Sequence, residues 1–258
     1  MKSLKVLACV ACLVGTVSGV GFAKDVQTIA GSMVVPNNVN VVSVSKTNTR
    51  DFVAKQLDEN PSKSSMANMM AKEFLQNLGT NFDVYQLQGS DKTGQKDAMV
   101  VALDVKQVAQ QVAKNKVNDP MFMAAMAALD KGQIDPVTEQ LMLGAINKQI
   151  PTVKTVVPLN DPTRYAHLKS QSGKPLVQPR TLTVENAEQV HPVAGAKYQT
   201  YAASSRLLYA DGDIQTPLYA NAAFVLKPGK PVLYVGVTSD VQRDYFKPIF
   251  DNAFKTIK

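Results

Sequence analysis

Residues 197–239 read KYQTYAASSRLLYADGDIQTPLYANAAFVLKPGKPVLYVGVTS, and this stretch decides the fold. Lys197 to Ala210 is rich in tyrosine and aliphatic residues, as a strand requires. Asp211-Gly212 follows, a tight-hairpin dipeptide because glycine, and aspartate with less ease, accepts positive φ. Beyond it Leu218, Ala220, Ala222, Phe224 and Leu226 recur at period two and fall on one face of a second strand. Lys227-Pro228-Gly229-Lys230 is a turn in which proline fixes φ and glycine takes the left-handed position. The final segment, PVLYVGVTS, is apolar on both faces and so predicts a strand covered on both sides. The stretch therefore predicts a three-stranded antiparallel meander.

Outward toward the C-terminus, SDVQRDYFKPIFDNAFKTIK predicts a helix. Ser239 with Gln242 three residues on matches a capping box. Val241, Tyr245 and Ile249 fall at i, i+4 and i+8, and Phe246, Phe250, Phe254 and Ile257 broaden that stripe into a face for the meander. Pro248 removes a helix hydrogen bond, so a kink or a restart is expected there.

Outward toward the N-terminus the pattern repeats less cleanly. GSMVVPNNVNVVSVSK (residues 31–46) suggests two short strands around Pro36-Asn37-Asn38. Ser64 or Ser65 can cap a helix, MANMMAKEFLQNL, that ends at Gly79. NFDVYQLQ and DAMVVALDV form a hairpin across a polar loop from Gly89 to Lys96. Between these and the meander lie VKQVAQQVAKNKV, DPMFMAAMAALDKG and DPVTEQLMLGAINKQI, each built from helix formers. Asp119-Pro120 and Asp135-Pro136 supply their starts. A polar connection with several prolines runs from Pro158 to Pro179. The fold class this implies is α+β, an antiparallel sheet packed by helices. One domain, 24–258, carries a helical insertion at about 105–150.

The first 23 residues have a different grammar. Two lysines precede an apolar run from Val6 to Val20, and Gly21-Phe22-Ala23 places small residues at −3 and −1 of a cleavage point. That is the pattern of an export signal, 1–23, with cleavage expected after Ala23. The run is shorter than the about 20 apolar residues of a membrane-spanning helix and is broken by glycine. Only three residues separate Lys5 from Cys9, with most of the apolar run still to come, which argues against processing to a lipidated cysteine. Both cysteines, Cys9 and Cys12, would leave with the leader, and thiolate chemistry with them. The formal charge falls from +7 to +5 as Lys2 and Lys5 are lost. An excess of that size, spread along the chain, suits an anionic envelope surface and does not call for nucleic acid. The expected location is periplasmic or extracellular, with no stable membrane span.

Several motifs offer chemistry and withdraw it. GSDKTGQK (Gly89 to Lys96) approaches a phosphate-binding loop, but Gln95 stands where the lysine belongs and Asp97 where the hydroxyl belongs. A strand, not a helix, is expected next, so no helix N-terminus would face the anion. Ser43-Val44-Ser45-Lys46 and Lys92-Thr93-Gly94 match two elements of the penicillin-recognising serine enzymes. Here Ser43 and Lys46 sit in alternating strand sequence, where they project to opposite faces.

The two histidines, His167 and His191, lie in connections and are not grouped with other ligands. No Gly-x-Ser-x-Gly elbow occurs, and the carboxylates are too scattered to nominate an acid/base pair. Met66, Met69 and Met70, and again Met121, Met123 and Met126, cluster on predicted helices. Core packing is their ordinary role, adaptable protein binding the next, and Cu(I) ligation the third. Six of the eight tyrosines (Tyr198, Tyr201, Tyr209, Tyr219, Tyr234 and Tyr245) crowd the C-terminal part, where half-buried strand positions are expected. No catalytic, cofactor-binding or metal residue is nominated.

The early strand pair around VVPNNVNVVSVS, a helix, the antiparallel strands, and the closing VLYVGVTS followed by YFKPIFDNAFKTIK resemble the PsbP-like α/β/α sandwich family. That resemblance covers the outer thirds of residues 24–258 and rests on element order. It implies a strand and terminal helix whose aromatics pack on the sheet, and an exported, protein-binding accessory role. It carries over no functional residue. The expected function is that of a non-enzymatic envelope protein whose partner is a protein or an anionic envelope component. An extracytoplasmic hydrolase and a small-ligand or Cu(I) carrier are the alternatives.

Overall fold

The structure, a computed structural model, describes residues 23–29, 31–44, 82–106, 127, 129–150, 156–159, 162–173 and 175–258. It is mostly antiparallel sheet with few helices. The predicted meander forms as β9 (Gln199–Asp211), β10 (Ile214–Leu226) and β11 (Val232–Ser239). Ile214 pairs with Asp211 across the first turn, where Gly212 has φ 57°. Gly229, at φ 71°, turns the second.

The meander is the centre of a larger sheet. β11 pairs antiparallel with β5 (Gly94–Asp104), which hairpins with β4 (Phe82–Asp91), and β3 (Asn40–Val44) lies outside β4. On the other side β9 pairs with β7 (Arg180–Ala187), and β7 with the short β6 (Val156–Pro158). A two-residue strand, β8 (His191–Pro192), continues the line of β7 along β9 after a break. The strand order is therefore β3-β4-β5-β11-β10-β9-β7-β6, with β8 beside β9. A separate hairpin, β1 (Ala23–Thr28) with β2 (Gly31–Pro36), completes the described strands.

Among the described residues, two α-helices are seen over their full length beside these strands. The first, α1 (Pro136–Gln149), starts where Asp135-Pro136 predicts: the Asp135 carboxylate accepts from Val137 N and Thr138 N. The second, α2 (Arg243–Lys255), follows a single 3-10 turn at Asp240–Gln242 and contains Pro248.

One face of the sheet is buried by α2 and the β1–β2 hairpin. Phe246, Ile249, Phe250 and Phe254 of α2 meet Val100 and Ala102 of β5, Ala223 of β10 and Tyr234 of β11, and Met33 and Val35 of β2 seal the side. Phe246, Phe250 and Phe254 stack in sequence, with centroids 5.8 and 6.0 Å apart. Gly236 lies beneath them, and a Cβ there would come within 2.7 Å of the Phe250 ring. The opposite face is also apolar. Phe82, Val84, Met99, Val101 and Leu103 form one cluster there, and Leu207, Tyr209, Leu218 and Ala220 another. The doubly apolar reading of β11 holds for this reason: Val232 and Tyr234 join the first core, and Leu233 and Val237 pack against the other two.

Several expectations are corrected. The loop from Gly89 to Lys96 is a tight turn at Lys92-Thr93, because Asp91 Oδ1 takes both the Thr93 amide and hydroxyl at 2.7 Å and the strands continue on either side. The capping box does not form. Ser239 makes no side-chain cap bond, and Gln242 Oε1 instead accepts from Asp97 N at 3.0 Å. Val241 is 86% exposed in the 3-10 turn and leaves the apolar stripe, since the helical phase begins only at Arg243. Tyr201, Tyr209, Tyr219 and Tyr234 are fully buried, not half-buried. The strands β1, β6, β7 and β8 have too little alternation to be read from sequence.

The helix predicted after Ser64, both methionine clusters, Lys46 and most of 105–126 lie outside the described residues, as does the leader up to Phe22. Among the described residues no helix is long and apolar enough to cross a membrane.

Candidate functional site

The core under α2 is apolar along its middle and polar toward β8. On the sheet face turned to α2, β9 places Ala202, Ser204 and Arg206, opposite Ala223, Asn221 and Tyr219 of β10. Antiparallel partners share a face, so Ser204 and Asn221 lie side by side under the helix. Both are nearly inaccessible, at 5% and 3% exposure.

From above, α2 contributes Lys247 and Asp251, one turn apart. Asp251 Oδ1 accepts from Asn221 Nδ2 at 2.7 Å, and its Oδ2 takes Lys247 Nζ at 3.2 Å. The carboxylate thus ties helix to sheet and neutralises the lysine at once. Burial works to lower the Lys247 ammonium, but the Asp251 hydrogen bond and the surrounding charges outweigh it and hold it above the ordinary lysine range.

The third wall is the break between β7 and β8. Glu188 N donates to Ser204 O at 2.7 Å and Val193 N to Thr200 O at 2.8 Å, so the edge chain stays registered on β9 at either end of the break. Asn147 of α1 fills the break itself. Its Oδ1 accepts from Val190 N at 2.7 Å and its Nδ2 donates to Val190 O at 2.9 Å. His191 pairs with Ala202, a residue of the face turned to α2, so Glu188 and His191 both belong to that face.

These three walls enclose a cleft of about 240 Å³, floored by Ser204 and Asn221 and flanked by Lys247, Asp251 and Lys255 on one side and Glu188 and His191 on the other. Within it Ser204 Oγ and the neighbouring Tyr219 hydroxyl are sealed from solvent, with no partner beyond each other among the described residues. Burial raises the Tyr219 phenol, and hydrogen bonding from the adjacent Ser204 hydroxyl offsets part of that rise. An orphaned buried hydroxyl costs about 1–3 kcal/mol.

The motifs considered in the sequence do not meet here. Ser43 is in β3, and Lys92-Thr93-Gly94 forms the β4–β5 turn, where Lys96 Nζ bonds Thr93 Oγ1. His167 lies in an exposed turn, away from the cleft. Only His191, and Tyr219 beside the floor, were in view from the sequence. Ser204, Asn221, Glu188, Lys247, Asp251 and Lys255 were missed. The available signal was Asn221 and Ser204, polar residues on the inward face of otherwise apolar strands. Among the described residues no group of three or more His, Cys, Asp or Glu is arranged to hold a metal ion.

No protein-family model matches this sequence, and a search of curated proteins finds no match.

Proposed function

We propose that this chain is an exported, non-enzymatic binding protein of the cell envelope, and that the cleft between α2 and the β8–β9 edge is its binding site. The observation that carries the reading is a cleft floored by the buried polar residues Ser204 and Asn221 and flanked by a lysine that Asp251 keeps charged. A Ser/Lys nucleophile needs a lysine that gives up its proton near neutral pH. Lys247 is shifted in the opposite direction, so it does not serve as the base of a Ser/Lys pair with Ser204. This argues for retention over turnover.

Export is supported by the leader grammar of residues 1–23. The PsbP-like relationship, with an α/β/α sandwich, is proposed on the order of elements alone: an early strand pair, a helix, antiparallel strands, and a closing strand and aromatic helix. An accessory role toward a protein or anionic envelope component agrees with it.

The test combines two measurements on the processed protein. Fluorophosphonate labelling and hydrolysis of nitrophenyl esters should both be absent. Pull-down from envelope extract should recover a reproducible partner that a Ser204→Phe variant, whose side chain fills the cleft, no longer holds. Labelling at Ser204 with ester turnover would establish the hydrolase instead.

A further inference from the structure

The two helices are held in different ways. α2 buries Phe246, Ile249, Phe250, Ala253 and Phe254. α1 buries no residue, and its Val137 and Leu141 are 69% and 71% exposed. A helix shorter than about 12–15 residues is marginal in water when nothing packs against it, and an interior glycine weakens it further. α1 has 14 residues, with Gly144 among them. Its helical form therefore depends on what pins it.

Two side-chain amides pin it, one at each end. Just ahead of the first turn, Gln199 of β9 accepts from Ile134 N at 2.8 Å and donates to Ile134 O at 3.2 Å. Near the last turn, Asn147 makes the same pair of bonds with Val190. Each amide thus takes both the N–H and the C=O of a single residue, as a facing residue does in an antiparallel ladder. Gln199 and Ile134 also line a second cavity, of about 940 Å³, so no packed core stands over the first clamp.

The second clamp sits on the wall of the binding cleft. Val190 lies between Glu188 and His191, which both line it. Bonds from Glu188 N and Val193 N hold this edge segment to β9 on its inner side, and Asn147 supports it from outside at the break. With that support withdrawn, the wall is free to swing away from the buried Ser204.

We infer that α1 is a latch: it leaves both clamps as one unit, and its release opens the cleft down to Ser204. Elements that gate a site are drawn from the least stable part of a fold, and a helix without buried side chains belongs there. The gate takes its purpose from the binding reading proposed above and rests on it, whereas the joint release of the clamps is independent of that reading.

Hydrogen exchange of the processed chain in a series of low urea concentrations tests the latch. α1 amides should exchange through an opening that urea barely affects, while α2 amides follow global unfolding. Gln199→Ala cuts only the clamp at Ile134, yet exchange at Val190 should quicken by about tenfold, the scale of one or two lost hydrogen bonds. Asn147→Ala should quicken Ile134 by a similar factor. Unchanged exchange along α2 establishes that each variant is folded. The chain from residue 24 onward has no cysteine, so Ser204→Cys supplies a single thiol at the cleft floor. Its labelling by methyl methanethiosulfonate should speed up in either clamp variant. Acceleration confined to the substituted end, a urea dependence of α1 equal to that of α2, or a labelling rate that neither substitution moves overturns the latch. Ser204-dependent ester turnover would instead topple the binding reading and leave the joint release of the clamps standing.

Discussion

Replacing Gly236 by valine sets two physical effects against each other. Gly236 lies in the middle of β11, paired with Asn221 on one side and Val100 on the other. A β-branched side chain favours a strand, and relief of glycine's backbone entropy adds about 0.5–1 kcal/mol of stability. Propensity alone therefore predicts a gain. The packing predicts the opposite sign. Even a Cβ would meet Cδ1 and Cε1 of Phe250 at 2.7 Å, and that ring is fully buried between Phe246 and Phe254. With no free rotamer space, α2 must lift. Overpacking of this kind costs about 1–3 kcal/mol, and valine's two extra methyl groups place it at the upper end. After the propensity gain, a net loss of about 2 kcal/mol remains.

For a domain of this size that lowers Tm by about 4–8 °C. Urea unfolding should show a lower midpoint with an unchanged slope, the mark of lost stability without a change in exposed surface. Phe250→Leu should make room for the valine. The double variant should then lie above the sum of the two single losses by at least about 0.5 kcal/mol. A Gly236→Val protein that melts at or above the unsubstituted temperature, or strict additivity with Phe250→Leu, would refute direct helix-on-backbone packing.

Other perturbations test the remaining contacts. Asn147→Ala removes both bonds to Val190 and should cost about 1–3 kcal/mol, with hydrogen exchange accelerating first at Val190 and along α1. Unaltered exchange there would mean that α1 is held by something else. In alkali, burial pushes Tyr234 up to about 12 from an ordinary 10.0, and burial raises Tyr85, Tyr201 and Tyr219 as well. Groups raised in the folded state stabilise it fully below pH 10 and progressively less as pH climbs toward 12. Tyrosinate absorbance should accordingly rise together with the loss of near-ultraviolet dichroism, and reversible ionisation of all eight tyrosines with the fold intact would contradict it. Hydrogen bonds from the start of α1, first from Thr138, hold Asp135 below the ordinary carboxylate value of 3.8. Its capping contribution is present above that value and fades as pH falls through and below it. Helical signal should fray in acid, and Asp135→Asn, which keeps an acceptor but cannot titrate, should remove that part of the pH dependence.

The meander, its turns and α2 were legible in the sequence because each has a local signature. Gly212 and Gly229 sit where turns need positive φ, Leu218 to Leu226 alternate, and the phenylalanines recur every four residues. What local pattern does not encode is which strands become neighbours. Nothing in DAMVVALDV or PVLYVGVTS says that β5 lies beside β11, yet that pairing joins the two halves of the sheet. The shortest strands escaped for a related reason: β8 has two residues and exists only because β9 offers an edge. The cleft was hidden in the same way. Ser204 and Asn221 are unremarkable until β9 and β10 align, and Lys247 and Asp251 look like a solvated helix pair until the helix is turned toward Asn221.

The pairing of β5 with β11 and the docking of Lys258 N on Ser32 O mean that the β1–β2 hairpin and the middle strands are completed by residues far downstream in the chain. A chain still emerging from the ribosome therefore lacks the pieces that would lock its tertiary structure, and non-local closure of this kind is slow. For the export proposed above, that delay is useful, because a partly synthesised chain cannot yet jam a narrow conduit with a finished domain.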